Sequence, residues 1–170
     1  AVTLAWTGFA EAGWKTTSSF GGASSVTTTL ALDAFRHALF LAGDVRLYEQ
    51  RIEGQTLALA LHGTWKFRDE EFVDLAERIV RLGRDFFADH AEHPYYLISL
   101  IQVGKRGMSS WGGTGLTDSF ALFMTSDNTL ATMLPDELSD ETAPASTKIT
   151  VGSGDAPWAR FELVNGSAEK

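Results

Sequence analysis

The chain of 170 residues contains no cysteine. Disulfides, thiolate catalysis and cysteine-held zinc are thereby excluded. The compartment stays open, because a periplasmic or otherwise exported bacterial protein and a cytoplasmic one both tolerate a cysteine-free chain. No apolar run approaches the roughly 20 residues that a helix needs to cross a bilayer, so no membrane span is expected. Basic residues are few: 14 Lys and Arg stand against 22 Asp and Glu, for a net charge of -8. They are also scattered, with Lys105 and Arg106 the densest pair. Phosphate recognition needs clustered cations, so nucleic acid is not an expected partner. No signal peptide is visible, and the chain opens directly in a strand-like alternation, as a mature, processed or truncated chain would.

What is present describes a folded domain. Hydrophobic residues make up 44% and charged residues 21%, which is ordinary for a globular chain, and 170 residues suffice for one domain with a core. Eleven Phe and five Trp give burial a strong aromatic component. Val2, Leu4 and Trp6 alternate with polar or small residues, the pattern of a half-buried strand. A second strand is expected from Trp14 to Phe20, broken by Gly21 and Gly22, and a third from Val26 to Leu30. Asp33 is placed to cap a short helix through Phe35, Leu39 and Phe40, ended by Gly43. Strands follow at Val45 to Ile52 and Thr56 to Trp65, with a hairpin turn at Glu53-Gly54-Gln55.

Phe72, Leu75, Ala76, Ile79, Leu82 and Phe86 recur at helical spacing and define an amphipathic helix from about Glu70 to His90, capped by Asp69 and stopped before Pro94. Tyr95 to Val103 is almost continuously apolar, as in a central strand covered on both faces. Gly104 to Gly115 reads as a glycine- and serine-rich loop, and Leu116 to Thr125 fits strand or helix. Residues 126–170 are acidic around Asp136, Glu137, Asp140 and Glu141. They read as a mobile segment, followed by a hairpin from Lys148 to Val151 and Trp158 to Val164. The expected class is α+β: a mixed, mainly antiparallel sheet with one long amphipathic helix packed on one face.

Three passages, FRHALFLAGDVRLYE at 35–49, GTWKFRDEEFVDLAERI at 63–79 and HPYYLISLIQVGKRGMSSWGGTGLTDSFALFM at 93–124, carry a resemblance. They resemble the first half of the catalytic domain of the glycyl-aminopeptidase family, gluzincin zinc peptidases that often carry a PDZ domain. The opening VTLAWTGFAEAGWKTTSSFG looks like the end of that family's N-terminal β-domain. The resemblance implies a β strip at 1–30, an α+β half-domain at 31–125 and an acidic remainder at 126–170. It further implies that Gly112, Gly113, Thr114, Gly115 and Thr117, with Trp111 as an apolar wall, border a cleft where an extended peptide lies along the sheet edge. Three missing Cβ atoms suit close approach of another backbone, and they equally suit a flexible hairpin loop.

The family holds zinc through His-Glu-x-x-His on a helix, two ligands at i and i+4 with a glutamate that activates water. Here no histidine follows His93, so that motif is absent. His90 and His93, beside Asp89 and Glu92, have H-x-x-H spacing, but the chain leaves the helix there, and histidines at a helix C-terminus fit better. His37 reads as a hydrogen-bonded histidine of a short helix and His62 as the solvent face of a strand.

Ser109, Ser110 and Ser119 flank the glycine run without a G-x-S-x-G elbow, and Asp44 with Asp118 is the sort of carboxylate pair any acidic chain offers. Gly152-Ser153-Gly154 lacks the spacing of a nucleotide loop. The expectation is therefore a non-catalytic or incomplete aminopeptidase-like domain, with no catalytic residue, metal ligand or cofactor of its own. Its expected partner is extended peptide or the remainder of a peptidase. A piece of an active zinc aminopeptidase completed outside this chain, and a structural or interaction module, are the alternatives.

Overall fold

The computed structural model describes residues 1–88, 94–104 and 110–132. These fall almost wholly in one unit, Ala1–Asn128; of the second unit, Thr129–Lys170, only residues 129–132 are described, and Leu130–Thr132 form a 3-10 turn. Five strands build the main sheet: β5 (Arg46–Ile52), β6 (Gln55–His62), β7 (Tyr95–Gln102), β8 (Trp111–Leu116) and β9 (Ser119–Met124). Their order is β5-β6-β7-β9-β8, with β7 parallel to both its neighbours and the outer ladders antiparallel. Two small antiparallel ladders precede it, β1 (Val2–Ala5) with β3 (Ser25–Thr28), and β2 (Lys15–Ser18) with β4 (Phe40–Gly43). The class is thus α+β, mainly antiparallel, with one long helix.

Helix α2 (Asp69–Phe87) is the crossover that makes β6 and β7 parallel, a connection that a tight turn cannot provide. Its first turn is acidic, as the positive end of the helix dipole favours. Asp69 is the first helical residue rather than the cap. Arg68 holds the cap position in extended conformation, and Glu71 accepts a hydrogen bond from the Arg68 N–H at 2.8 Å. The Asp69 carboxylate is instead drawn to β5, where it accepts from the Arg46 guanidinium and from the Tyr48 hydroxyl at 2.7 Å. Phe72, Val73, Leu75 and Ala76 are buried under this pin.

Residues paired across a ladder share a face. Arg46 and Tyr48 therefore place α2 on the face that also carries Leu57, Leu59 and Leu61 of β6. The opposite face carries Ala58, Ala60 and Leu97, covered by Leu39 and Leu41 and by Tyr95. The small β6 side chains let the β2–β4 ladder lie close. Polar links fix it there. The Thr17 and Tyr95 hydroxyls are 3.0 Å apart. Ser119 donates to the Thr117 carbonyl at 2.9 Å, so Ser19 donates to Ser119 while accepting the Leu39 N–H at 2.8 Å. Thr17, Ser19 and Ser119 are all buried, and each hydroxyl has found a partner.

Two expected elements differ. The helix expected through Phe40 is short, α1 (Leu32–Arg36), with Ala31 and not Asp33 at its cap. Leu39 lies beyond it and Phe40 begins β4, because pairing with β2 and burial of Leu41 outweigh a marginal local helix signal. The loop expected over Gly104 to Gly115 is in its second half strand β8, completed by hydrogen bonding to β9. The turns were better signalled: Glu53-Gly54 joins β5 to β6 with both residues at positive φ, the geometry that favours glycine in a two-residue hairpin. Among the described residues no helix is long and apolar enough to cross a membrane. His90, His93, the acidic cluster from Asp136 to Glu141 and the terminal hairpin lie outside the described residues.

Candidate functional site

Among the described residues, strand β8 is the outermost of its sheet and pairs with β9 alone. A hairpin fixes its register: Leu116 faces Ser119, and Thr117-Asp118 form the turn, with Asp118 at φ 44°. At the other end, Ser110 N–H donates to Thr125 Oγ1 at 3.1 Å and Thr125 N–H to the Ser110 carbonyl at 3.0 Å. The buried Asn128 amide donates to that same carbonyl at 2.9 Å and to Thr125 Oγ1 at 2.9 Å. Both ends of β8 are therefore held, and the free edge between them is kept extended.

The pleat divides the strand. Trp111, Gly113 and Gly115 share the face of Phe120, Leu122 and Met124, while Gly112, Thr114 and Leu116 share the other. Trp111 is 47% exposed. A Cβ at Gly113 would lie 2.6 Å from Phe120 Cε1 and 2.9 Å from the Ala121 carbonyl oxygen. Gly113 is therefore glycine so that the Phe120 ring can lean across the strand. At Gly112 a Cβ would meet nothing within 4 Å, and at Gly115 only Phe120 at 4.0 Å. These two positions are open. Thr114 is exposed and its hydroxyl reaches no further than the Gly115 carbonyl at 3.5 Å. The Thr117 hydroxyl donates to the Ala34 carbonyl at 2.8 Å and its N–H to His37 at 2.9 Å, so Thr117 ties the hairpin to α1.

The six residues singled out in the sequence thus lie on one hairpin but divide by task. Trp111, Gly112, Thr114 and Gly115 face solvent or open space, whereas Gly113 and Thr117 serve packing. Sequence reasoning missed Phe120, Thr125 and Asn128, which shape and anchor the strand. The turn-forming Ser126-Asp127-Asn128 run was the available signal for the last.

Carboxylates and histidines gather elsewhere. His62 Nδ1 donates to the Asp44 carbonyl at 2.8 Å and His37 Nδ1 to the Asp33 carbonyl at 2.9 Å. Among the described residues no group of three or more His, Asp and Glu is arranged to hold a metal ion. Burial is the first cause that pushes the Tyr96 hydroxyl pKa up, with the Asp118 carboxylate adding to it. Tyr96 therefore stays a neutral phenol well beyond physiological pH.

An α+β unit with a pinned, glycine-rich edge strand is the class that fold and site define. No family model matches the sequence, and no curated protein matches it. Among solved structures, the aminopeptidase N family protein from Idiomarina loihiensis is similar, with a TM-score of 0.52 and 20% identity over 66% of this chain. The match covers 19% of that chain, so this protein spans about a fifth of its solved neighbour. At that identity the likeness is one of fold.

Proposed function

We propose that this chain is a non-catalytic, aminopeptidase-like domain that holds extended peptide along the free edge of β8. The single observation that carries the reading is that, among the described residues, β8 is an edge strand with both ends fixed and no charge or proline along it. Unpaired backbone groups on such an edge accept another strand by main-chain hydrogen bonding. Gly112 and Gly115 leave room beside the backbone, and Trp111 offers an apolar wall on one face. The solved neighbour's peptidase family is consistent with this reading through fold alone. The resemblance places no zinc ligand here, because the chain has no histidine after His93.

Titration with short glycyl and alanyl peptides, followed by amide NMR, tests it. Shifts confined to residues 111–116, lost when the peptide backbone is N-methylated at alternate positions, are expected. Absence of any shift there across the panel sinks peptide binding. Stoichiometric zinc in the purified chain, with turnover of glycyl or alanyl substrates, overturns the non-catalytic part.

A second reading has its own support. On the face opposite α2, Leu47 and Phe123 are 38% and 41% exposed, beyond the reach of the β2–β4 ladder. A sheet face left partly bare fits a piece of a larger peptidase completed by other residues. Intact mass of the native protein, or a partner that co-purifies in fixed ratio, distinguishes this reading from the first.

A further inference from the structure

Helix α2 carries its apolar stripe further than the sheet uses it. Phe72, Leu75 and Ala76 are buried, yet Ile79, Leu82 and Phe86 continue the same stripe at 51%, 59% and 52% exposure, and Phe87 is 66% exposed. Contiguous exposed apolar groups on one helix mark a contact surface. With 3.6 residues per turn, Arg78 and Asp85 fall on the same flank of that exposed stripe, one before Ile79 and the other before Phe86. Both are exposed, and among the described residues neither makes an ion pair. Gly83, also near the stripe, has nothing within 4 Å of its Cβ position.

We propose that this face of α2 pairs with α2 of a second copy, antiparallel, about a twofold axis between residues 82 and 83, inside the exposed half of the stripe. A twofold contact must be self-complementary: what residue i meets, residue j must meet in return. Antiparallel pairing satisfies this. Ile79 of each copy lies against Phe86 of the other, the two Leu82 side chains meet at the axis, and Arg78 of each lies within one turn of Asp85 of the other. Parallel pairing would put the Arg78 and Asp85 flanks of the two copies on opposite sides of the seam, each facing the uncharged Gly83 and Phe87 flank of the other, and neither charge would meet its complement. The charge pattern therefore selects both the occupant and its direction, as flanking charges do in paired helices. Phe86 with Ile79 closes the apolar seam at each end.

Sedimentation velocity and light scattering on the whole chain, from low to high micromolar concentration, read this directly. The mass is expected to rise from 18.5 kDa toward twice that value. Leu82→Glu is expected to stay monomeric throughout, with an unchanged circular dichroism melt because Leu82 is exposed. Arg78→Asp and Asp85→Arg are each expected to weaken association about tenfold, and the double exchange to restore it. A mass that stays at 18.5 kDa overturns the proposal. So does association that survives Leu82→Glu, or a double exchange no tighter than either single one.

Discussion

Gly112 and Gly113 are neighbours of identical chemistry with opposite tolerance. A Cβ at Gly113 collides with a ring edge and with main-chain oxygen, and the second cannot swing aside. Gly113→Ala is expected to cost about 1–3 kcal/mol, the range for overpacking. Gly112→Ala is expected to stay within about 0.5 kcal/mol of the parent. Urea midpoints of the two variants check this, and equal losses would refute the packing account. Ser19 poses the same kind of problem in polar form. Ser19→Ala leaves the part-buried Leu39 N–H without its acceptor and removes the hydrogen bond that the Ser119 hydroxyl accepts, a loss of about 1–3 kcal/mol. Thermal unfolding with Ser19→Ala beside exposed Ser24→Ala as control separates that loss from hydroxyl removal in general.

At the scale of elements, the join between α2 and β5 gives the molecule an acid limb. The Arg46 guanidinium, with help from the Tyr48 hydroxyl, holds the Asp69 carboxyl below its ordinary 3.8. A carboxyl whose pKa is depressed by folding stabilises above its unfolded value and loses that contribution as pH falls through the folded one. Stability is therefore expected to decline below about pH 4, and Asp69→Asn to flatten that decline while lowering the plateau at neutral pH. Denaturant midpoints from pH 2 to pH 7 report it, and a decline of unaltered steepness in Asp69→Asn would refute it.

The same elements show what the sequence made legible. Helix α2 was readable because its stripe from Phe72 to Phe86 repeats over about four turns, and β7 because six of its eight residues are apolar. Strand β8 was not readable. Three of its six residues are glycine, with no β preference of their own, and its extended state comes from Phe120 and from β9. Leu39-Phe40-Leu41 is too short a run to separate helix from strand, and β2, far off in sequence, decides it. For the candidate site, the sequence marked the glycines and Trp111 but not the edge on which they lie, which entered by resemblance. That Thr117 faces α1 and Gly113 faces Phe120 depends on register, which composition does not carry.

For the whole molecule, the solved neighbour is about five times the length that this chain matches, and two apolar surfaces remain open within Ala1–Asn128. One is the second half of the α2 stripe and the other the bare part of the sheet around Leu47 and Phe123. Phe123→Glu is accordingly expected to raise solubility without lowering the melting temperature, measured by precipitation with polyethylene glycol and by calorimetry. A melting temperature that falls by more than about 2–4 °C, the shift of roughly 1 kcal/mol in a chain of this length, would mean that Phe123 is packed after all.

Strand β7 has a parallel neighbour on each side, so nothing adjacent in the chain can zip it into place. Its contacts close only when distant segments meet, and they part only when those segments separate together. Deuterium should therefore enter the amides of Leu97 to Leu100 last, at the rate of complete unfolding, long after it has filled the hairpin tips.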